Sequence, residues 1–388
     1  MQRSLVGSEM CIRDRVYEMR YPAYLKKNGT IGFVAPSFGC ATEPYKSAFE
    51  SALAAFHEMG YQTMLGPNCY AAEGIGISNT PQKCAAELQQ MYETPENNIL
   101  LSCGGGELMC EILPYIDWEA IKKAPPKWFA GYSDNTNFTF LQTTMADTAS
   151  LYAPCAGAFG MKPWHRAVQD AFGVLTGTLE ETAGNGGTER ESAADGQKKM
   201  PERKITITDY DLWEKESLKS EENPTAPYHA TEKSVLRVYS EDGTVTTQTR
   251  VSGRLLGGCM DCLVNLTGTS FDKVAEFQKK YRDDGILWFL ESCDLNVMSI
   301  RRAMWHMKQA GWFENTKGFL IGRPLQFGQE MMGLDQYEAV MGIVREYHVP
   351  VIMDVSIGHL PPSMPVICGS LAEAVVHENK LTLEMRLR

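Results

Sequence analysis

A serine stands directly between a short apolar strand and a helix in the segment KWFAGYSDNTNFTFLQTT, which runs from Lys127 to Thr144. Because no loop separates the strand from the helix, Ser133 is predicted to lie on a sharp turn with its hydroxyl group exposed, as the nucleophile does in a strand–turn–helix elbow. An oxyanion formed beside this serine would meet the backbone N–H groups at the start of the helix and the positive end of the helix dipole.

Ser133 also has a purely structural interpretation. Serine is a common N-cap, whose side-chain oxygen accepts a hydrogen bond from a backbone N–H group in the first helical turn. Asp134 is an equally good cap, and a cap at Asp134 would leave the serine hydroxyl available for chemistry. The sequence therefore favours a nucleophile at Ser133, with capping as the alternative.

A serine nucleophile needs a general base and a group that orients this base. Among the seven histidines, His359 is distinctive because it follows a predicted buried strand and lies in a proline-containing loop, IGHLPP, at 357–362. A histidine in such a loop can be held in one orientation. His359 is therefore the candidate base, and a structural loop histidine is the alternative.

Glu291 is the strongest candidate for the orienting acid, because it ends the apolar strand that begins at Ile286. A carboxylate in this position is costly unless it is paired or hydrogen-bonded, and an imidazole N–H group would satisfy it. Asp294 and Asp354 are the competitors. Asp294 is equally suited to cap the following helix, and Asp354 follows another buried strand.

The composition, with 44% hydrophobic and 22% charged residues among 388, is that of a soluble globular protein. A net charge of −11 argues against nucleic acid and anionic membranes as partners. Eleven cysteines at irregular spacings predict reduced, buried thiols in a cytoplasmic protein. Cys259 and Cys262 form a single C-x-x-C pair that does not complete a zinc site, so we expect no metal and no cofactor.

Strands and helices alternate between Gly29 and about Leu175, which predicts a flavodoxin-like parallel sheet with helices on both faces. The loop at Ser37, the glycines that begin at Gly104 and the elbow at Ser133 all follow strands. They should therefore share the carboxyl edge of the sheet. We expect Ser37 and Gly104 to contact the substrate there.

The chain length predicts two domains. The first is an N-terminal α/β domain at 19–176, followed by a linker and insertion over the site at 177–250. The second is a smaller C-terminal α/β domain of the swivelling type at 251–388. Residues 1–18 are predicted to be a non-native or disordered extension, because SLVGSEMCIRDR resembles a translated artefact of metagenomic assemblies.

The predicted insertion combines a polar, glycine-rich run at 184–199 with large aromatic side chains further along the chain. The polar run has too little apolar surface to offset its ordering entropy, so it is predicted to be exposed and mobile. Trp213 and Tyr228 are predicted to approach the mouth of the cleft at Ser133, because a large aromatic side chain in a polar insertion is otherwise hard to place.

Six short motifs occur in order across about residues 20–370. They are IGFVAPS at 31–37, GG with ILPYID at 104–105 and 112–117, KWFAGYSD at 127–134, GRLLGG at 253–258, LE at 290–291 and GH at 358–359. The ordered set resembles the LD-carboxypeptidase family of serine peptidases, which includes muramoyltetrapeptide carboxypeptidase and the microcin C immunity peptidases.

The resemblance implies a Ser–His–Glu triad carried across two domains, with Ser133 as nucleophile, His359 as base and Glu291 as acid. It also implies an oxyanion hole of backbone N–H groups, which we map to Asp134 and Gly105. The chain departs from the family pattern after the glycine pair, where a glycine and a glutamate replace the usual aromatic residue and glycine. This departure concerns substrate contacts and leaves the backbone donors in place.

The resemblance further implies a cytoplasmic, metal-free hydrolase of amide bonds. The main activity of the family removes the terminal D-alanine from murein tetrapeptides in peptidoglycan recycling. A second hypothesis is an immunity peptidase that cleaves a peptidyl-nucleotide amide, since an insertion aromatic could stack on a base, and a third is a non-catalytic binding module. The expected partner is a small peptide or peptidyl-nucleotide, and the family suggests a homodimer.

Overall fold

The computed structural model describes residues 19–181 and 203–388. The predicted extension at 1–18 and the predicted mobile run at 184–199 lie outside these residues. Within them, a six-stranded and a nine-stranded sheet form the framework of the protein, and helices accompany both sheets. The two-domain α/β fold that the sequence predicts is therefore confirmed.

Five short strands build most of the first sheet: β1 (Thr30–Val34), β2 (Gln62–Leu65), β3 (Ile99–Ser102), β4 (Trp128–Gly131) and β5 (Ser150–Tyr152). They are parallel and lie in the order β2-β1-β3-β4-β5. This is the strand order of flavodoxin-like folds, whose ligands bind outside the carboxyl ends of the strands. Every residue of β3, β4 and β5 is buried, as expected for a parallel sheet covered on both faces.

Five helices accompany this sheet: α1 (Tyr45–Glu58), α2 (Pro81–Glu93), α3 (Trp118–Lys123), α4 (Thr136–Thr144) and α5 (Arg166–Thr176). The start of α2 shows how the sequence sets a boundary, since Thr80 accepts a hydrogen bond from the N–H of Lys83 and proline takes the first helical position. All nine residues of α4 are buried, because this helix packs against both large sheets.

The remaining strands are β6 (Arg203–Thr208), β7 (Leu212–Trp213), β8 (Glu232–Lys233), β9 (Arg237–Tyr239), β10 (Val245–Thr246), β11 (Gln248–Cys259), β12 (Ile286–Glu291), β13 (Thr316–Gly322), β14 (Glu330–Met331), β15 (Leu334–Asp335), β16 (Val351–Val355), β17 (Val366–Cys368), β18 (Leu371–His377) and β19 (Lys380–Leu387). Nine of them form the second sheet, in the order β10-β9-β16-β13-β12-β11-β18-β19-β6. Its centre, β16-β13-β12-β11, is parallel. The outer strands are antiparallel.

Four helices accompany the second sheet: α6 (Met260–Leu266), α7 (Val274–Lys280), α8 (Val297–Gln309) and α9 (Gln336–Val344). The cap of α8 is Asn296, whose side chain accepts a hydrogen bond from the N–H of Ser299. In the part of the chain that the structure describes, no helix combines the length and the apolar character needed to cross a membrane.

The second sheet begins earlier in the chain than the predicted domain boundary at 251. Strands β6, β9 and β10 lie within 177–250, the range predicted as linker and insertion, yet they pair with strands of the second sheet. In β6, Ile205 and Ile207 are buried and alternate with more exposed residues, which is the pattern of a strand with one face on a core. Among the described residues the second sheet therefore has more strands than the first, although the sequence predicts the smaller domain there.

Near its end the chain passes from one sheet to the other and back. Strand β16 belongs to the second sheet, β17 pairs antiparallel with β5 in the first sheet, and β18 returns to the second. The loop that joins β16 to β17 therefore runs between the two sheets. This loop contains His359.

Candidate active site

Ser133 lies at the carboxyl end of β4, where a 3₁₀ helix at Ser133–Asn135 leads directly into α4. Its backbone φ is 62°, a left-handed conformation that residues other than glycine adopt rarely and at an energetic cost. The Oγ atom of Ser133 bonds to His359, so the structure does not support the capping alternative. A strained serine at a strand–helix turn is the geometry of a nucleophile elbow.

His359 and Glu291 form a continuous chain of hydrogen bonds with Ser133. Nε2 of His359 lies 2.9 Å from Oγ of Ser133, and Nδ1 of His359 lies 2.8 Å from Oε2 of Glu291. Both distances are short enough for direct proton transfer. Glu291 is fully buried at the end of β12, whereas the His359 side chain is 12% exposed and can meet a substrate.

The two ionisable members of this chain shift each other's pKa. Burial lowers the pKa of His359, but the charge of Glu291 and contacts with Glu291 and Cys293 outweigh it, so the net pKa lies well above its ordinary value. Burial raises the pKa of Glu291, but the charge of His359 and hydrogen bonds from His359 and Tyr152 reverse this, so its net pKa is lowered. Glu291 therefore stays ionised, and its charge favours the protonated form of His359.

Tyr152 links the acid to the serine turn. Its hydroxyl group donates a hydrogen bond of 2.5 Å to Oε1 of Glu291 and accepts one of 3.2 Å from the N–H of Ser133. Tyr152 is fully buried. It gives no signal in the sequence, because it ends β5, a strand of three residues that is too short to show a periodicity.

Two glycines allow the backbone to approach the side chains of the site. A Cβ atom on Gly105 would lie 2.9 Å from Cβ and 3.0 Å from Oγ of Ser133. A Cβ atom on Gly358, whose φ is 110°, would lie 2.6 Å from Oε2 of Glu291. The turn at Gly105 is thereby held against Ser133, and Asp134 is the next residue in the chain after Ser133. Both predicted oxyanion donors are needed at this position beside the serine.

Ser37 does not line the cleft, so its prediction as a substrate contact is wrong. It is fully buried, and its hydroxyl group donates a hydrogen bond of 2.5 Å to Oδ2 of Asp134. The same carboxylate group accepts hydrogen bonds from the N–H of Met109 at 2.9 Å and from Nδ2 of Asn137 at 3.0 Å. Asp134 therefore ties three segments together and does not cap α4 with its side chain, because these donors occupy its oxygen atoms.

A cleft of about 410 Å³ opens beside His359. Gly104, Gly105 and Tyr228 line it, while their predicted contacts with a substrate or an oxyanion stay predictions. The large or charged side chains that also line it are Tyr45, Tyr132, Glu214 and Lys219. Among the described residues that line the cleft, Lys219 is the one lysine or arginine, and burial lowers its pKa.

Trp213 is buried and is not among the residues that line the cleft, so the prediction that it approaches the cleft mouth is wrong. It is 5% exposed and packs edge-on against Phe327, with ring centroids 5.2 Å apart. The guanidinium group of Arg323 lies 5.4 Å from its ring, and its Nε1 donates a hydrogen bond to the carbonyl oxygen of Lys233. These partners fix the position of the Trp213 ring, and no substrate is needed to hold it. Two of the partners, Phe327 and Arg323, lie more than a hundred residues away in the chain.

Replacing Trp213 with alanine is therefore expected to destabilise the protein and leave KM nearly unchanged. Removing a buried tryptophan side chain costs about 3 kcal/mol through lost burial and the cavity that remains. Thermal unfolding followed by circular dichroism should show a lower Tm, while KM stays within about twofold of the wild type. A raised KM without a change in Tm would restore the prediction that Trp213 approaches the mouth of the cleft.

The two rival acids lie outside the hydrogen-bond chain of Ser133, His359 and Glu291, and Asp294 does not cap the following helix. Asp294 is exposed, and Asn296 caps the helix that follows it. Asp354 accepts hydrogen bonds of 2.8 Å from the Tyr337 hydroxyl group and 2.9 Å from Nε2 of Gln336. Burial raises the pKa of Asp354 to about 6. Since Nδ1 of the candidate base bonds to Glu291 instead, Glu291 is the acid that the geometry selects.

One group of side chains in the described residues has the spacing of metal ligands. Potential ligand atoms of Cys259, Glu291 and His359 all lie within 4.8 Å of one another. Two of these residues already share a hydrogen bond, so a metal ion would have to displace that proton. The expectation that the protein needs no metal and no cofactor stays a prediction.

The fold and the site together define a two-domain α/β protein with the hydrogen-bonded serine, histidine and acid that are typical of serine peptidases. A model of the LD-carboxypeptidase N-terminal domain matches residues 31–153, and one of the LD-carboxypeptidase C-terminal domain matches residues 252–374. The chain therefore belongs to the LD-carboxypeptidase family, as its motifs predict.

Known relatives cover nearly the whole chain at low identity. A presumptive carboxypeptidase of Vibrio cholerae is 22% identical over 352 residues, which are 90% of this chain and 93% of that protein. The microcin C7 self-immunity protein MccF of Escherichia coli is 22% identical over 362 residues, 92% of this chain and 93% of that protein. A solved structure of MccF in complex with glutamyl sulfamoyl guanosine has a TM-score of 0.71 at 19% identity and covers 93% of this chain and 97% of its own. This likeness establishes the fold.

Proposed function

We propose that the protein is a cytoplasmic serine carboxypeptidase that removes the terminal D-alanine from murein tetrapeptides in peptidoglycan recycling, and that it acts as a homodimer. The observation that supports hydrolysis by serine is the unbroken hydrogen-bond chain from Ser133 through His359 to Glu291. Membership of a peptidase family supports an amide substrate.

In the proposed mechanism, His359 removes the hydroxyl proton of Ser133 as Oγ attacks the scissile carbonyl carbon. The N–H groups of Gly105 and Asp134 stabilise the resulting oxyanion. His359 then gives its proton to the leaving amine, and an acyl-enzyme remains on Ser133. Water, activated by His359, hydrolyses this ester and restores the serine. Glu291 holds the imidazole in the correct tautomer throughout.

Lys219 supports the carboxypeptidase assignment, because cleavage of a terminal residue requires recognition of its carboxylate group. His359, which would protonate the leaving amine, and Lys219 line the same cleft. A lysine is a suitable point charge for a carboxylate. The leaving amino acid can therefore place its amine at His359 and its carboxylate at Lys219.

Replacing Lys219 with glutamine is expected to raise KM for a murein tetrapeptide about tenfold or more and to change kcat little, since a charged hydrogen bond contributes about 1.5–3 kcal/mol. The measurement is release of D-alanine from the free acid and from the same peptide with a terminal amide, which the wild type should cleave poorly. Lys215→Gln, at an exposed neighbouring position, is the matched control. Equal cleavage of acid and amide would contradict the carboxypeptidase assignment.

A second candidate function is hydrolysis of an aminoacyl or peptidyl nucleotide analogue, as the ligands of MccF structures suggest for that protein. The cleft favours it through its tyrosines, Tyr45, Tyr132 and Tyr228, because aromatic rings stack on bases. Lys219 Nζ lies 5.8 Å from the Tyr45 ring, so one cation is close to one such surface. Trp213 gives no support. Comparing hydrolysis of aspartyl sulfamoyl adenosine with that of the tetrapeptide distinguishes the two candidates.

Replacing Tyr152 with phenylalanine is expected to lower kcat by about ten- to a hundredfold, because it removes a hydrogen bond to a buried carboxylate worth about 1.5–3 kcal/mol. Loss of this bond also raises the pKa of Glu291, which the Tyr152 hydroxyl group lowers. The pH dependence of kcat/KM should therefore change shape on its acid side. A lower Tm with unchanged kcat would show that Tyr152 supports only the fold.

A further inference from the structure

A second, smaller cavity of about 160 Å³ is lined by Ser133, which is not among the residues that line the larger cleft. Its charged lining residues are all acidic, since Glu107, Asp134, Asp261 and Asp294 line it and none of the described lining residues is Lys, Arg or His. The ion pairs of the described residues involve other carboxylates than these four. These four carboxylates therefore have no ion-pair partner among the described residues, although the charge of His359 lowers the pKa of Glu107.

The acids of this cavity are held in place. Oδ1 of Asp261 accepts a hydrogen bond of 2.9 Å from the N–H of Asp294, and Oδ2 accepts one of 3.0 Å from the N–H of Cys293. These bonds fix the loop after β12 and keep Asp294 at the cavity. Partial burial, followed by the charges of Asp294 and Asp261, raises the pKa of Glu107. Three carboxylates thus act on one small volume.

The side chain of Asn137 gives a second, independent indication that this cavity binds a group that donates hydrogen bonds. It is 1% exposed and lines the same cavity. Its Nδ2 group donates hydrogen bonds to Oδ1 and to the carbonyl oxygen of Asp134, which sets the orientation of the amide. Its Oδ1 atom has no hydrogen-bond partner among residues 19–181 and 203–388. A buried acceptor without a donor is costly, so a ligand that donates hydrogen bonds would be stabilised here.

The cavity can be assigned to one side of the scissile bond. His359, the proposed donor of a proton to the leaving amine, lines the larger cleft and is not among the residues that line the small cavity. The leaving group therefore takes the larger cleft, and the acyl side of the substrate faces the small cavity. Its volume suits one benzene-sized group, which is the size of a single side chain.

We propose that this acidic cavity binds a primary ammonium group on the residue whose carbonyl carbon Ser133 attacks. An ammonium group has three donors and one positive charge, which match the surrounding carboxylates and the free Asn137 acceptor. The proposal rests on the proposed function. The ammonium group can come from the side chain of a diamino acid in a peptide, or from the free α-amine of a single aminoacyl group.

The test compares substrates that differ only in this ammonium group. One pair is the tetrapeptide L-Ala-γ-D-Glu-L-Lys-D-Ala and its norleucine analogue, which keeps the chain but lacks the amine. The other pair is aspartyl sulfamoyl adenosine and its N-acetyl derivative. The wild type is expected to favour the ammonium member of one pair at least about tenfold in kcat/KM, as for a charged hydrogen bond. The pair that responds identifies the source of the amine.

The double variant Glu107→Gln/Asp294→Asn should reduce this preference to about twofold or less, whereas Glu119→Gln, an exposed acid on α3, should keep it. Equal kcat/KM within both wild-type pairs would overturn the ammonium site while leaving the proposed hydrolysis intact. If none of the four compounds is hydrolysed, the proposed function fails instead. Calorimetric binding of each pair to Ser133→Ala then decides on the cavity, since equal affinities within both pairs would refute it.

Discussion

Replacing Ser133 with alanine is expected to reduce kcat by about 10⁴-fold or more, because the nucleophile of a serine triad cannot be replaced by its partners. Substrate binding should survive, since the change removes one oxygen atom and leaves the cleft, Lys219 and the glycine turn in place. The measurement is single-turnover release of D-alanine, with substrate affinity determined by calorimetry.

Ser47→Ala is the matched control, because Ser47 lies on α1 and bonds to Glu43 and not to any residue of the candidate site. Both variants should unfold at temperatures close to that of the wild type. If the Ser133 variant retains more than about a tenth of the wild-type rate, another nucleophile or an activated water molecule performs the reaction.

Replacing Glu291 with glutamine is expected to lower kcat by about 10⁴-fold, the loss typical of an acid-to-amide change in a triad. Glu291 accepts hydrogen bonds from both His359 and Tyr152. A glutamine can accept only through its oxygen, so its NH₂ group must face one of these donors. Either His359 adopts the wrong tautomer or the Tyr152 hydroxyl group has to turn away from the carboxylate position.

The same variant should shift the pH dependence in a defined direction. His359 must be neutral to accept the Ser133 proton, so kcat/KM rises with pH through the pKa of His359. Burial lowers this pKa, and the Glu291 charge is the main influence that raises it above the ordinary value. Without that charge the midpoint of the rise should move to lower pH. A midpoint that is unchanged or higher would show that another group controls the acid limb.

The strand-end positions made much of the site predictable. Ser133, Glu291 and His359 each follow a predicted apolar strand, and polar groups at such positions lie at the carboxyl edge of a sheet. The structure brings the three to hydrogen-bond distance, while their catalytic roles stay predictions that the variants above test. The parallel order of the first sheet was likewise accessible from the alternation of strands and helices.

Trp213, Ser37 and Tyr152 show what the local sequence could not reveal. Trp213 packs against Phe327 and Arg323, which lie far along the chain, so nothing near it indicates its burial. The hydroxyl group of Ser37 donates its hydrogen bond to Asp134, which lies 97 positions further along the chain. Tyr152 bonds to Ser133, at the carboxyl end of β4 in the first sheet, and to Glu291 of the second sheet, and the second bond depends on the relative position of the sheets. Long-range packing determines the surroundings of all three side chains, and neither the hydrophobic periodicity nor the secondary-structure propensity of the local sequence reveals this packing.

The loop that carries His359 runs from a strand of one sheet to a strand of the other. His359 therefore contacts Ser133 only while the two sheets and their helices are packed against each other. The rate of turnover consequently reports on this packing. During gradual denaturation, activity should disappear no later than the far-ultraviolet signal of either half. A fragment that stops at residue 181 would contain the serine turn but would lack both its proton acceptor and the last strand of its sheet.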